Sequence, residues 1–130
     1  MIAIRQHVLP FLLLFSDAAI CADEQYFREH VAPILESRCL SCHEGSKPKG
    51  RFSLVSRKHL LMGGESGQVV IEGKPEESLL LQYISGDEPL MPKDGKPLTV
   101  GEINTIRYWI EIGAPWPAEM ELSDKRQYDF

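Results

Sequence analysis

The sequence predicts a small, mostly α-helical domain, and three observations carry that prediction. Apolar residues recur at helical spacing in two separated stretches: Phe27, Val31, Ile34 and Leu35 near the front, and Ile103, Ile106, Trp109 and Ile110 near the back. Between them lie loops dense in Gly and Pro that carry only short helical or extended pieces. At the end of the first stretch stands Cys39-Leu40-Ser41-Cys42-His43. A Cys-x-x-Cys-His run is the attachment signature of c-type haem. Two thiols in that spacing add across the two vinyl groups of the porphyrin, and the adjoining imidazole binds iron from the proximal side. The expected fold is therefore one small domain wrapped around a single covalent haem, with its first and last helices packed together.

Length and composition agree with one such domain. The chain has 130 residues, 43% hydrophobic and 25% charged, which argues against wholesale disorder. A core of this size is thin, and small domains often need a metal, cofactor or disulfide for stability. A covalently held apolar disc would meet that need. The formal net charge of −5 argues against nucleic acid as a partner. The same balance points to a redox partner with a basic docking surface.

The first 22 residues read as a secretory signal peptide. Arg5 supplies the positive charge, Val8 to Phe15 an apolar run, and Ile20-Cys21-Ala22 a small-residue cleavage site before Asp23-Glu24. The run is too short for a spanning helix, and a buried N-terminal strand is the bland alternative. No integral membrane segment is expected after processing, and the expected location is periplasmic or secreted. Lipid anchoring at Cys21 is the lesser alternative, because Ile20 is bulky where such sites favour a small residue. Cleavage after Ala22 leaves Cys39 and Cys42 as the only cysteines, both committed to haem, so no disulfide is expected.

The domain is expected over residues 23–117. Asp23 to Arg38 reads as a helix, in which Pro33 either makes a kink or marks the true start. Glu44 to Gly50 is a loop, and Arg51 to Ser56 alternates with Phe52, Leu54 and Val55 inward. Arg57 to Met62 is a short helix ending at Gly63-Gly64, with Met62 as a core residue. Gly67 to Gly73 is a short extended piece. Lys74 to Ser78 opens a helix with acids in its first turn, continued by Leu79 to Ile84. Gly86 to Pro97 is a second loop. Thr99 and Glu102 form a capping box for the last helix, and Gly113 stops it before Pro115-Trp116-Pro117. Phe27, Tyr108 and Trp109 are expected to pack the terminal helices together. Ala118 to Phe130 reads as a polar tail or the start of a linker to a further domain.

Haem iron takes two axial ligands for electron transfer, or one where a small molecule is to bind. His43 is the proximal candidate by placement. On the distal side Met91 leads Met62, Met120, His30 and His59. Pro92 biases Met91 toward an extended backbone and Pro89 stiffens the approach, so little ordering entropy offsets a weak thioether bond. His59 is the second choice, although a solvated histidine explains it as well. Glu76-Glu77 is a helix start rather than an acid/base dyad, since neighbours on a helix do not face each other.

From roughly Tyr26 to Pro117 the chain resembles the cytochrome c-type domain of secreted planctomycete proteins. The resemblance rests on Cys39-Leu40-Ser41-Cys42-His43, Gly64-Glu65-Ser66-Gly67, Gly73-Lys74-Pro75-Glu76-Glu77-Ser78-Leu79-Leu80, Met91-Pro92 and Trp109-Ile110-Glu111-Ile112-Gly113-Ala114-Pro115-Trp116-Pro117. It implies a small cytochrome c fold, haem attached at Cys39 and Cys42, and iron held by His43 and Met91. The family usually has Met-Pro-Pro where this chain has Met91-Pro92-Lys93, a change that leaves the ligand in place. Family members commonly carry further long domains, sometimes linked to polysaccharide breakdown, so fusion to or association with larger domains is a second possibility beside a stand-alone carrier.

Three functions compete on these residues. The first is a non-enzymatic, periplasmic electron-transfer domain with one His/Met-ligated haem c. The second is a haem sensor or enzyme domain with an open distal site, and it predicts five-coordinate or easily displaced iron. The third has no haem: Cys39, Cys42 and His43 bind zinc or form a redox disulfide. A structural zinc site wants a fourth ligand at regular spacing, which His59 would fill only awkwardly.

Overall fold

The structure, a computed structural model, describes residues 17–124. Those residues form five α-helices and no strand: α1 Asp17–Tyr26, α2 Ala32–Arg38, α3 Arg57–Met62, α4 Leu79–Ile84 and α5 Val100–Glu111. The mostly helical expectation holds. The proposed signal peptide lies outside the described residues up to position 16, and Asp17 to Ala22 are part of α1.

A single π-turn, Phe27–Val31, joins α1 to α2. There the Ala32 N–H donates to the Phe27 carbonyl, five residues back instead of four. The cause is Pro33, placed at the first turn of α2. Proline has no N–H to give and its ring crowds the carbonyl four residues earlier, so the regular α pattern cannot continue through it. Widening the preceding turn removes the conflict without breaking the run. Phe27, Val31, Ala32 and Leu35 then all face the core.

The last helix closes onto the first. Thr99 accepts from the Glu102 N–H, and Glu102 in turn accepts from the Thr99 N–H at 2.8 Å, the reciprocal cap expected from the sequence. Ile106, Trp109 and Ile110 are buried. The Phe27 ring lies 5.8 Å from Trp109 and 4.3 Å from Trp116, centroid to centroid. Both indoles are satisfied, Trp109 Nε1–H by the Pro115 carbonyl and Trp116 Nε1–H by that of Met120. Tyr26 and Tyr108 meet edge-on at 5.1 Å on the rim of this contact. Packing of the terminal helices through Phe27, Tyr108 and Trp109 is as the sequence predicts.

Between the terminal helices the chain is mostly loop tied by single hydrogen bonds. α3 is capped by Ser56 and ends at Gly63, whose φ of 68° suits glycine. Leu60 is its one buried residue. Met62, expected in the core, is 70% exposed. Two positions along a helix lie on nearly opposite faces, so Leu60 inward puts Met62 outward. Phe52, Ser53 and Leu54 are buried and Val55 half-buried, so the expected alternation is absent.

The helix expected from Lys74 onward is broken in two. A 3-10 turn, Pro75–Glu77, is separated from α4 by Ser78 in extended conformation. Ser78 is fully buried. Its Oγ accepts from the Ile71 N–H at 2.9 Å and donates to the Lys74 carbonyl at 2.9 Å. The break is the geometry that lets one hydroxyl satisfy two backbone groups at once.

The stretch after Pro117, expected as a polar tail, packs on the domain as far as it is described. Leu122 is 3% exposed and its N–H donates to the Val55 carbonyl at 2.8 Å. Asp124 is buried and its N–H reaches Glu44 Oε2.

Candidate functional site

α2 delivers the Cys-x-x-Cys-His run into one tight turn. The N–H groups of Cys39 and Leu40 both reach the Leu35 carbonyl, at 3.1 and 3.0 Å. Cys42 and His43 donate back to the Cys39 carbonyl at 3.3 and 3.2 Å, and His43 also to that of Leu40 at 3.0 Å. Leu40 is fully buried and anchors the turn, while Cys39, Cys42 and His43 are half-buried. Both cysteines are free thiols. The backbone bonds thus fold Cys39, Cys42 and His43 into one turn.

His43 is oriented by its neighbours. Its Nδ1 lies 3.0 Å from the Phe52 carbonyl, and its ring packs on that of Phe52 at 5.4 Å. The Leu54 N–H donates to the His43 carbonyl at 2.8 Å. An imidazole whose Nδ1–H is held by a backbone carbonyl presents Nε2 as the free base, the arrangement metal-binding histidines use. The sequence reading missed Phe52 because a backbone acceptor leaves no side-chain signature.

Arg38 is the second residue it missed. The guanidinium donates to the carbonyls of Lys96 and Pro97 at 2.7 and 2.9 Å and lies 3.9 Å from Glu102. It clamps the start of the cysteine turn to the loop that leads into α5. A cation directly before the motif was the available signal. Burial pushes the Cys39 thiol up from 9.0 to about 12; Arg38 partly opposes this, and Glu102 and Cys42 add to it.

Met91 comes from the other loop. It is half-buried against the core, its N–H donates to the Tyr83 carbonyl at 2.9 Å, and its bond to Pro92 is cis. No hydrogen bond joins it to the cysteine turn among the described residues. Of the rival ligands, His59 is exposed and turned to Ser56 Oγ at 2.7 Å. His30 is exposed beside Tyr26, and Met120 is half-buried near Arg28.

The donor set can be tested against the two kinds of metal chemistry proposed for it. Among the described residues no three His, Cys, Asp or Glu side chains are grouped to hold a metal ion, which removes the support for a zinc site. Two thiols one turn apart, followed by an imidazole with its far nitrogen free, fit a haem held through thioethers and a proximal histidine.

The mostly helical fold and the Cys-x-x-Cys-His turn are compatible with a c-type cytochrome domain. Residues 39–95 match the family model described as planctomycete cytochrome C, which supports a cytochrome c-type domain over that stretch. The match begins at Cys39 and takes in Met91. No curated protein and no solved structure matches the chain. Cytochrome c domains bind haem and transfer electrons, and typically they are not enzymes. Among the described residues no helix is long and apolar enough to cross a membrane.

Proposed function

We propose that the chain is an extracytoplasmic carrier of single electrons, with one haem c bonded through Cys39 and Cys42 and its iron held by His43 and Met91. The observation that carries this reading is the hydrogen bond from His43 Nδ1 to the Phe52 carbonyl, which leaves Nε2 free on the same turn as both thiols. The haem would supply the Fe(III)/Fe(II) couple, and a thioether opposite imidazole raises its potential. The chain's own contribution is orientation and burial. Phe52 fixes the imidazole tautomer, Leu40 fixes the turn, and Arg38 fixes the turn against α5. Two features support Met91: its half-buried place against the core, and the inclusion of its loop in the family match.

The test is a visible spectrum, oxidised and reduced, of protein matured in a secreting host with cytochrome c assembly machinery, beside the Met91→Ala variant. The expected result is a low-spin c-type spectrum that becomes high-spin in the variant. A wild-type spectrum already high-spin, or shifted by carbon monoxide when reduced, would replace this reading with the open-site sensor or enzyme. A colourless protein would exclude haem altogether.

A further inference from the structure

The chain's negative net charge is not shared by the loop that wraps the cysteine turn. Lys47, Lys49 and Arg51 are all exposed there. None of the three has a carboxylate partner among the described residues, as is also true of Arg28, Lys58, Lys93 and Lys96, whereas four cations elsewhere are matched: Arg57 with Glu72, Lys74 with Glu77, Arg107 with Glu76 and Arg38 with Glu102. Glu44, the loop's one acid, accepts from the Asp124 N–H.

The cationic loop is also held in a fixed shape against the site. The Lys49 N–H donates to the Cys42 carbonyl at 2.9 Å, and the Gly50 carbonyl accepts from Glu65 at 2.9 Å. Gly50 and Arg51 are consecutive left-handed residues, with φ of 67° and 52°. That conformation is natural for glycine and uncommon for arginine, and it persists only where the surroundings over-determine it. Three unmatched cations on a rigid loop, hydrogen-bonded to the haem-attachment turn, form a preset electrostatic surface.

Resting on the electron-carrier reading, we propose that Lys47, Lys49 and Arg51 form the docking surface for a redox partner that presents a carboxylate-rich protein face. Net charge alone points to a basic partner, but association is steered by the charge nearest the contact, and salt screens what lies more than about 10 Å away. Arginine's planar fork pairs with carboxylates in bidentate fashion, which favours a protein acid face. Residues 44–51 contain no large apolar side chain to enter a lipid surface, which disfavours a membrane.

The test titrates the haem-loaded protein with poly-L-glutamate at low salt by calorimetry, beside a Lys47→Glu/Lys49→Glu/Arg51→Glu variant. A Lys47→Glu/Lys49→Glu variant leaves the strained Arg51 backbone unchanged and serves if the triple variant folds poorly. Poly-L-glutamate is expected to bind the wild type despite the shared negative charge, and to bind either variant about tenfold more weakly, with physiological salt weakening the wild type likewise. Oxidation of the reduced protein by anionic hexacyanoferrate(III), which takes one electron from Fe(II), is expected to slow in the variants. Equal binding by wild type and variants, no binding to poly-L-glutamate, or preferential binding to anionic phosphatidylglycerol vesicles would overturn the proposal. The polymer arm does not depend on electron transfer. A low-spin spectrum with failed polymer binding therefore condemns the docking surface alone, and a failed spectrum condemns the carrier reading.

Discussion

His43 Nδ1 and the Phe52 carbonyl oxygen stand 3.0 Å apart. This contact links the cysteine turn to a segment that is itself held from two other directions. Leu54 returns a hydrogen bond to the His43 carbonyl, and Val55 receives one from Leu122. The imidazole is therefore oriented by backbone that reaches across much of the fold.

Gly64 is the support behind Phe52. A Cβ there would sit 2.7 Å from the Gly50 carbonyl oxygen and 2.8 Å from Phe52 Cβ, closer than side chains tolerate. Gly64→Ala is expected to cost about 2 kcal/mol by overpacking, lowering the melting temperature by on the order of 10 °C. Thermal unfolding followed by circular dichroism checks it. An unchanged midpoint would mean that the Phe52 segment can shift freely.

Ser78 carries two backbone groups on one buried hydroxyl. In Ser78→Ala the Ile71 N–H and the Lys74 carbonyl lose that partner, at a cost of about 1–3 kcal/mol. Urea denaturation should show a lower midpoint with an unchanged slope. Ser78→Thr, which keeps the hydroxyl but adds a methyl group in a fully buried site, should recover only part of the loss.

Phe27 fills the junction of the two terminal helices between Trp109 and Trp116. Phe27→Ala should destabilise by about 3–5 kcal/mol through lost burial and a residual cavity. Indole fluorescence should shift to longer wavelength at the same time, because Trp109 and Trp116 both border the vacated space.

The Cys39 thiol gives a pH dependence with a definite sign. Folding raises its pKa from 9.0 to about 12, so between those values the folded chain holds a proton that the unfolded chain has lost. Stability of the thiol form is then undiminished below pH 9.0 and falls as pH rises toward about 12. Urea midpoints of the reduced, haem-free protein at about pH 8 and about pH 10.5 should differ more than those of Cys39→Ala. A thioether at Cys39 has no proton to lose, so the haem-bound protein should lack this component.

What could be read directly from the chain was what is local. The Thr99–Glu102 cap and the Gly63 stop each depend on residues within a few positions of one another, and each stands as read; the Cys39–His43 run is equally local as a motif. The missed features depend on residues far apart. Ser78 breaks its helix because Ile71 needs a donor's partner. Leu122 is buried because Val55 has a free carbonyl, and Met62 is exposed because Leu60 claims the inward face of a one-sided helix. Phe52 acts on His43 through its main chain, which any residue would supply. Met91 is half-buried as a ligand should be, yet its partnership with His43 belongs to the proposal and not to the periodicity of either loop.

The π-turn before Pro33 also bears on how the first helix tolerates insertions and deletions. An α-helix that simply gained a residue would turn everything beyond it by about 100° and aim Phe27 away from the tryptophans. The wide turn instead takes up one residue locally, so both flanks keep their bearing on the core. Removing a residue between Arg28 and His30 would return Pro33 to the interior of a regular helix. The chain would exchange a harmless bulge for a proline kink at the base of the cysteine turn.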